Sequence, residues 1–330
     1  MIRADAPEFV ILGAGAMGSI FGAHLARAGH SVAMLVREGR AQQIRADGLR
    51  LTGLEDFSVR VPVITDASQL QRAGVLIVAM KTLGTAAALA PLQHVRFDAV
   101  LSLQNGAFKN DRLVDAFGRE AVLGALADSS GELRPDGTVL FTRNVMTVVG
   151  ELDGGLSHRA QALAATIDGA GVHTRAVADV VTREWSKFCG WAGLMTMAVA
   201  TRAVTWKFVT DPDGALLIAR VVREVGALAR SRGVELSDES ILPIISMCRG
   251  SEAEAAAAVL HRNKDVQTTA PLHRISSLQD FDAGRDLELE ETIAMALREA
   301  RDRGIPMPVL DSLFHLCRAL VGIRAKSDSP

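Results

Sequence analysis

Up to about residue 178 the chain alternates short apolar runs with segments of helical period. Apolar runs at 9–12, 31–36, 60–64, 75–80, 99–103 and 122–126 predict strands. Segments at 18–28, 40–46, 85–91, 109–117 and 158–169 predict helices between and after them. Two more runs, 139–142 and 145–149, flank the polar pair Arg143-Asn144 and predict a hairpin. Strands that alternate with helices imply a mainly parallel sheet covered on both faces. After Asp179, placed as an N-cap, the strand signal fades and helices are expected at 180–203, 213–232, 237–249, 251–260, 272–303 and 307–322. Gly233 and Gly304 sit at expected helix ends, Pro306 and Pro308 lead into the last helix, and 326–330 reads as a frayed tail. The expectation is an α/β domain over 1–178 and an all-α domain over 179–330.

Composition narrows the chemistry. The chain has 330 residues, 48% of them hydrophobic, enough for two cores without disulfide or metal staples. The 36 Lys+Arg against 38 Asp+Glu leave a formal charge of −2 with no long basic stripe, so nucleic acid is not an expected partner. Cys189, Cys248 and Cys317 lie too far apart for a zinc site or a dense disulfide framework, and they suit a reducing, cytoplasmic setting. The first eight residues carry charges where a signal peptide has its apolar core. The apolar stretch 185–201 contains Lys187 and falls short of the ~20 apolar residues of a membrane span, so no membrane association is expected. The eight histidines form no close metal-ligand pattern, and no GxSxG elbow occurs. There is no tyrosine, so a proton donor must be His, Lys, Asp, Glu or Cys.

The sharpest local signal is Gly13-Ala14-Gly15-Ala16-Met17-Gly18, directly after a strand and opening a helix. In such a loop the first glycine allows a tight turn and the second lets the backbone approach a pyrophosphate. The third lets helix and strand pack closely, while the helix N-terminus offers N–H donors. The end of the second strand selects the cofactor. An acidic residue there holds the ribose of NAD, whereas this chain has Arg37, suited to a 2′-phosphate; Glu38 follows and leaves NAD open. NADP is therefore the expected cofactor ahead of NAD. Lys81 and Asn105 each follow a strand and so fall at the carboxyl edge, where open α/β sheets bind ligands; a surface loop and a plain turn are the alternatives.

Lys187 stands almost alone in an apolar helix. A lysine desolvated in such surroundings has a lowered pKa and becomes a competent proton donor near neutral pH. The alternative is that it lies near the helix start and snorkels to water, with Glu184 as a surface partner. The acidic cluster Glu288, Glu290 and Glu291 reads most simply as a solvated helix face, and the preceding Ser276-Ser277-Leu278-Gln279-Asp280 offers side chains able to hold a carboxylate.

Taken in order, these landmarks resemble the ketopantoate reductase (2-dehydropantoate 2-reductase) family over nearly the whole chain. They are GAGAMG at 13–18, Arg37, Met80-Lys81-Thr82, Leu103-Gln104-Asn105-Gly106, Glu184-Trp185-Ser186-Lys187, Ser276–Asp280, Ala283-Gly284-Arg285 and Glu288. The resemblance implies a Rossmann-type nucleotide domain, an all-α partner domain and NADPH-dependent reduction of a 2-oxo acid to a 2-hydroxy acid, the step named in pantothenate biosynthesis. By position it implies that Gly13, Ala14, Gly15, Ala16, Met17, Gly18 and Arg37 hold the NADP(H) phosphates. Lys81 and Asn105 would line the cofactor site, with Asn105 also near substrate. Lys187 would protonate the nascent alkoxide, Ser276 would contact substrate, and Glu288 would stand at the substrate–cofactor junction as a second catalytic group. The partner is then a small 2-oxo acid, and a homodimer is allowed.

The departures bear on the substrate. Family members that reduce ketopantoate carry asparagines four and eight residues after the lysine, where this chain has Trp191 and Met195. The family's Asn-Gly after the glutamate is also absent, with Thr292 and Ile293 in that neighbourhood. A pocket without those polar partners discriminates polar substrates poorly, which points to a bulkier or more apolar 2-oxo acid lined by Trp191 and Met195. Two other readings stand beside this one: an oxidoreductase of the β-hydroxyacid dehydrogenase kind, and a non-catalytic NADP-binding sensor.

Overall fold

The computed structural model describes residues 6–327; the first five residues and the last three of the expected frayed tail lie outside the described residues. The chain clusters into two compact units. One runs through Asn105 and resumes over Lys109–Val181; the other comprises Gly106–Phe108 and the chain from Thr182 onward.

The first unit contains β1 (Phe9–Leu12), α1 (Ala16–Arg27), β2 (Val32–Leu35), α2 (Glu38–Asp47), β3 (Leu49–Gly53), β4 (Phe57–Val59), β5 (Val63–Ile64) and β6 (Arg72–Val78). It continues with α3 (Thr85–Leu89), β7 (Arg96–Ser102), α4 (Lys109–Phe117), β8 (Leu123–Leu133), β9 (Val139–Glu151), α5 (His158–Gly169) and β10 (Thr174–Ala176). Five strands form a wholly parallel sheet in the order β5-β2-β1-β6-β7. Its central strand explains its own sequence. Phe9 and Ile11 enter one apolar cluster while Val10 and Leu12 enter another on the opposite face. A strand buried on both faces reads as an unbroken apolar run. Because β1 has β2 on one side and β6 on the other, its carboxyl end lies where the connections turn in opposite directions, the crevice in which α/β sheets bind ligands.

A second sheet was not anticipated. It runs β10-β9-β3-β4 with β8 paired antiparallel to β9. The hairpin expected around Arg143-Asn144 is incorrect, since both residues lie inside the single strand β9, whose hairpin partner is β8. Arg143 faces solvent and pairs across the strands with Asp128 at 2.9 Å, while the half-buried Asn144 donates to the Gly171 carbonyl and accepts from the His173 amide, near two irregularities in the β8–β9 register.

The second unit is helical. It contains most of α6 (Val180–Thr201), then α7 (Thr205–Val209), α8 (Pro212–Ser231), α9 (Ile244–Arg249), α10 (Glu252–Arg262), α11 (Val266–Thr269), α12 (Ser276–Asp282), α13 (Ile293–Asp302) and α14 (Pro308–Ser327). Local caps set several starts: Asp211 accepts from the Gly214 amide with Pro212 at the first helical position, and Ser251 with Glu254 forms a capping box. Two helical expectations fail. The segment from 237 becomes helical only at Ile244, after Pro243. The long helix expected over 272–303 is two helices, α12 and α13, separated by a turn in which Gly284 takes φ +70°.

One buried polar group in the first unit couples the fold to pH. His24 of α1 lies edge-on to Phe57 and Phe141, donates from Nδ1 to the Ala170 carbonyl at 3.1 Å, and has the Glu55 carboxylate 3.9 Å from Nε2. Arg27, ion-paired to Glu55 at 2.6 Å, also faces it. Burial is the main cause holding the His24 pKa below its ordinary 6.5, only partly offset by Ala170 and Glu55. A lowered histidine pKa means that the folded state favours the neutral ring. The resulting stability is complete above pH 6.5 and is lost as pH falls through the folded pKa. Each unit of depression corresponds to about 1.4 kcal/mol. Urea unfolding at about pH 7.5 and about pH 5.5 is expected to show a larger fall in stability for the wild-type chain than for His24→Gln. Equal slopes would remove His24 as the cause.

Candidate active site

The glycine loop follows β1 and uses its three glycines for three distinct reasons. Gly13 has φ +97°, and a Cβ there would come within 2.9 Å of the Met80 backbone just past β6. Gly18, on the first turn of α1, lies so close to the Gly13 carbonyl oxygen that a Cβ would overlap it. Gly15 is different: a Cβ there would meet nothing within 4 Å, and its φ of −69° is unstrained. Gly15 is also the N-cap of α1, and no side chain caps that end. An open cradle beside helix amides with no side-chain cap fits a pyrophosphate group, and Ala14, Ala16 and Met17 join or pack against the apolar core. Arg37 follows β2 as the N-cap of α2, with its side chain exposed.

The carboxyl ends of β6 and β7 are tied by buried polar groups that sequence reasoning did not single out. Gln104 accepts from Ser102 Oγ at 3.0 Å and donates to the Lys81 carbonyl at 3.2 Å and to Thr85 Oγ1 at 2.8 Å. Thr85 in turn donates to the Thr82 carbonyl at 2.6 Å, and the Lys109 ammonium donates to the Gln104 and Ala125 carbonyls. Lys81 is exposed and Asn105 half-buried, at the ends of the two segments joined by this network. A second missed group is Arg40 of α2. Its guanidinium reaches the Ala14 carbonyl at 3.0 Å, Ser19 Oγ at 3.2 Å, Gln43 Oε1 at 3.0 Å and the Gly137 carbonyl at 3.1 Å. Burial, and then the charge of Arg50, lowers its pKa, while the guanidinium stays ionised.

In the second unit, α6 carries Lys187, Trp191 and Met195 at spacings of four, which places them along one face. Lys187 is half-buried, Trp191 is 7% exposed and Met195 is fully buried. Trp191 stacks on Phe188 at 6.1 Å and 27°. Phe188 and Trp185 both meet Phe108 edge-on, and the Arg232 guanidinium lies 5.2 Å from the Trp185 ring centroid. Gly190 and Gly193 of the same helix serve packing, since a Cβ would come within 2.9 Å of Ile241 and 3.3 Å of Ile218 respectively. Glu184 is buried, which corrects its reading as a surface partner. The solvated-face reading of the acidic cluster also fails for Glu288, which is 5% exposed and lies in the turn before α13. Glu290 does face solvent, 3.3 Å from Arg318. Ser276 opens α12 and is exposed. Thr292 is fully buried; its hydroxyl donates to the Glu288 carbonyl, and its methyl lies 2.9 Å from where a Cβ on Gly106 would fall.

Two family models match the chain. One, described as ketopantoate reductase PanE/ApbA, covers residues 9–154, and one described as its C-terminal part covers 179–321. The chain belongs to the ketopantoate reductase family. It is 29% identical over 310 residues to the 2-dehydropantoate 2-reductase of Archaeoglobus fulgidus, covering 94% of this chain and 96% of that one. To the 2-dehydropantoate 2-reductase of Mycobacterium tuberculosis it is 28% identical over 330 residues, covering 98% and 99%. A PanE/ApbA family ketopantoate reductase from Ralstonia eutropha superposes with a TM-score of 0.80 at 26% identity, over 96% of this chain and 99% of that one. A D-mandelate dehydrogenase solved with NADH and anilino(oxo)acetate shares the fold, with a TM-score of 0.81 at 20% identity over 95% and 98%. As a ketopantoate reductase family member the chain is a nicotinamide-dependent oxidoreductase that converts a 2-oxo acid to a 2-hydroxy acid. This assignment replaces the β-hydroxyacid dehydrogenase and sensor readings. No helix among the described residues is long and apolar enough to cross a membrane.

For this reductase the loop geometry separates two substitutions. Gly18→Ala forces a clash with backbone and is expected to destabilise the fold by about 1–3 kcal/mol, read by thermal unfolding. Gly15→Ala meets open space and is expected to leave the melting temperature nearly unchanged while weakening nucleotide binding about tenfold or more. Equal effects of the two on stability would contradict this reading of the loop.

Proposed function

We propose that this family member is an NADPH-dependent reductase of a 2-oxo acid bulkier or more apolar than ketopantoate, with Lys187 as the proton donor. In this reading residues 1–178 hold the nucleotide and 179–330 hold the substrate. When bound, the nicotinamide supplies the hydride that adds to the C2 carbonyl carbon. The chain's own task is to orient the acid, stabilise the charge that develops on the carbonyl oxygen and protonate that oxygen. A half-buried lysine that is the one charged residue between Trp185 and Thr201 suits that role, and with no tyrosine in the chain there is no phenolic competitor for it. Glu288, buried, serves as the second charged group, and Ser276 and Asn105 as polar contacts for substrate.

The cofactor preference rests on Arg37. It stands at the end of β2 with an exposed planar fork suited to a 2′-phosphate, while the loop from Gly13 to Gly18 receives the pyrophosphate and Lys81 adds positive charge. The substrate preference is carried by one observation: the stripe after Lys187 presents Trp191, stacked on Phe188, and the buried Met195. Neither side chain replaces the amide hydrogen bonds that a polar 2-oxo acid needs, and both favour an aromatic or hydroxyl-free aliphatic side chain. Three free cysteines, two of them buried, support a reducing, cytoplasmic setting.

A steady-state survey of 2-oxo acids with NADPH is expected to give kcat/KM at least about tenfold higher for an aromatic or hydroxyl-free aliphatic acid than for ketopantoate. Ketopantoate as the best substrate by a wide margin would refute the substrate assignment. Lys187→Ala is expected to lower kcat by about 10²- to 10⁴-fold with NADPH affinity kept within about twofold, and undiminished turnover would refute the donor.

A further inference from the structure

The two arginines at the start of α2 differ in what they touch. Arg37 is exposed, whereas Arg40, one turn later, turns back under the glycine loop. Its Nε donates to the Ala14 carbonyl at 3.0 Å, and Ser19 Oγ, fully buried on α1, donates to the same oxygen at 3.2 Å. Arg40 Nη2 also donates to that Ser19 oxygen, and Nη1 to the Gly137 carbonyl in the β8–β9 turn. Guanidinium, hydroxyl and loop carbonyl thus form a closed triangle, braced from a second sheet.

The consequence follows from peptide planarity. In a trans peptide the carbonyl of one residue and the N–H of the next point in opposite directions, and the unit rotates as one plane. Fixing the Ala14 carbonyl on Arg40 and Ser19 therefore fixes the Gly15 N–H pointing away from them. Gly15 is the residue whose surroundings are open. We propose that Arg40, assisted by Ser19, is a positioning residue that aims the Gly15 amide at the pyrophosphate of the bound dinucleotide. The proposal rests on the nicotinamide-nucleotide reading above. It gives Arg40 a role distinct from that of Arg37: one sets the loop that all dinucleotides share, and the other distinguishes the 2′-phosphate.

Titration calorimetry with ADP-ribose, NADH, NADPH and adenosine 2′-monophosphate separates these roles without any turnover. Arg40→Met is expected to weaken ADP-ribose, NADH and NADPH alike by about 10- to 100-fold while leaving adenosine 2′-monophosphate within about twofold. Arg37→Ala is expected to do the reverse, weakening only the ligands that carry the 2′-phosphate. Ser19→Ala, which removes one of two donors to the Ala14 carbonyl, is expected to weaken ADP-ribose by about 3- to 10-fold; it serves as the test if Arg40→Met does not fold. ADP-ribose affinity unchanged in Arg40→Met, or in Ser19→Ala where that is the test, would overturn the proposal, as would an Arg40→Met loss confined to 2′-phosphate ligands. A wild-type chain that binds none of the four nucleotides would overturn the nucleotide reading itself.

Discussion

The contact between the first turn of α1 and the Gly13 carbonyl constrains the first unit more than any other. Helix and strand meet there with no room for a single methyl group, because Gly18 rests against Gly13 and Gly13 against the backbone at Met80. That approach brings the N-terminus of α1 to the carboxyl edge of the sheet, beside the point where β1 separates the strands on either side. Sheet and helix are otherwise held by ordinary burial, with apolar residues alternating to the two faces of β1. The loop is held by directional bonds: Arg40 and Ser19 grip it from behind, and the Gln104 network fixes the neighbouring strand ends. An anion site made of backbone amides depends on such bonds, because a peptide free to rotate gives up the orientation that lets its N–H stabilise a phosphate.

In the second unit the corresponding element is α6. Its glycines let Ile241 and Ile218 pack close, its aromatic residues interlock with Phe108, and Lys187 remains half-buried on a stripe that is otherwise closed. The packing that makes the helix apolar also makes its one lysine chemically distinctive. Trp191 and Met195, four and eight residues after that lysine, give its stripe an apolar surround.

The legible parts of the sequence were those with a local cause. β1 and β2 are buried throughout, and β6 and β7 over their C-terminal parts, so their apolar runs are continuous, and the GAGAMG segment has glycines because two close contacts exclude a side chain and the third position is open. The second sheet was hidden because β3 and β4 are short and half-exposed, and because Arg143-Asn144 looks like a turn when it lies inside a long strand, with Arg143 to solvent and Asn144 bonded to the chain at Gly171 and His173. In the helical half, the break between α12 and α13 and the late start at Ile244 reflect Gly284 and Pro243, each set inside a run whose apolar residues recur at helical spacing. Within the candidate site, residues in short motifs at strand ends were easier to find than residues that hold backbone. Arg40 and Gln104 engage carbonyls tens of positions away, and only their polarity beside a known motif hints at it. Glu288 resembled a solvated face because its neighbour Glu290 is one.

The central claim is that the cradle between Gly13 and Gly18 receives the nicotinamide nucleotide. Hydrogen–deuterium exchange with and without saturating NADPH tests it directly, because the amides at the start of α1 have no carbonyl of their own helix to bond. Bound NADPH is predicted to slow exchange across residues 13–18. If bound NADPH left exchange there unchanged, the cradle would not be the nucleotide seat and the account would be wrong.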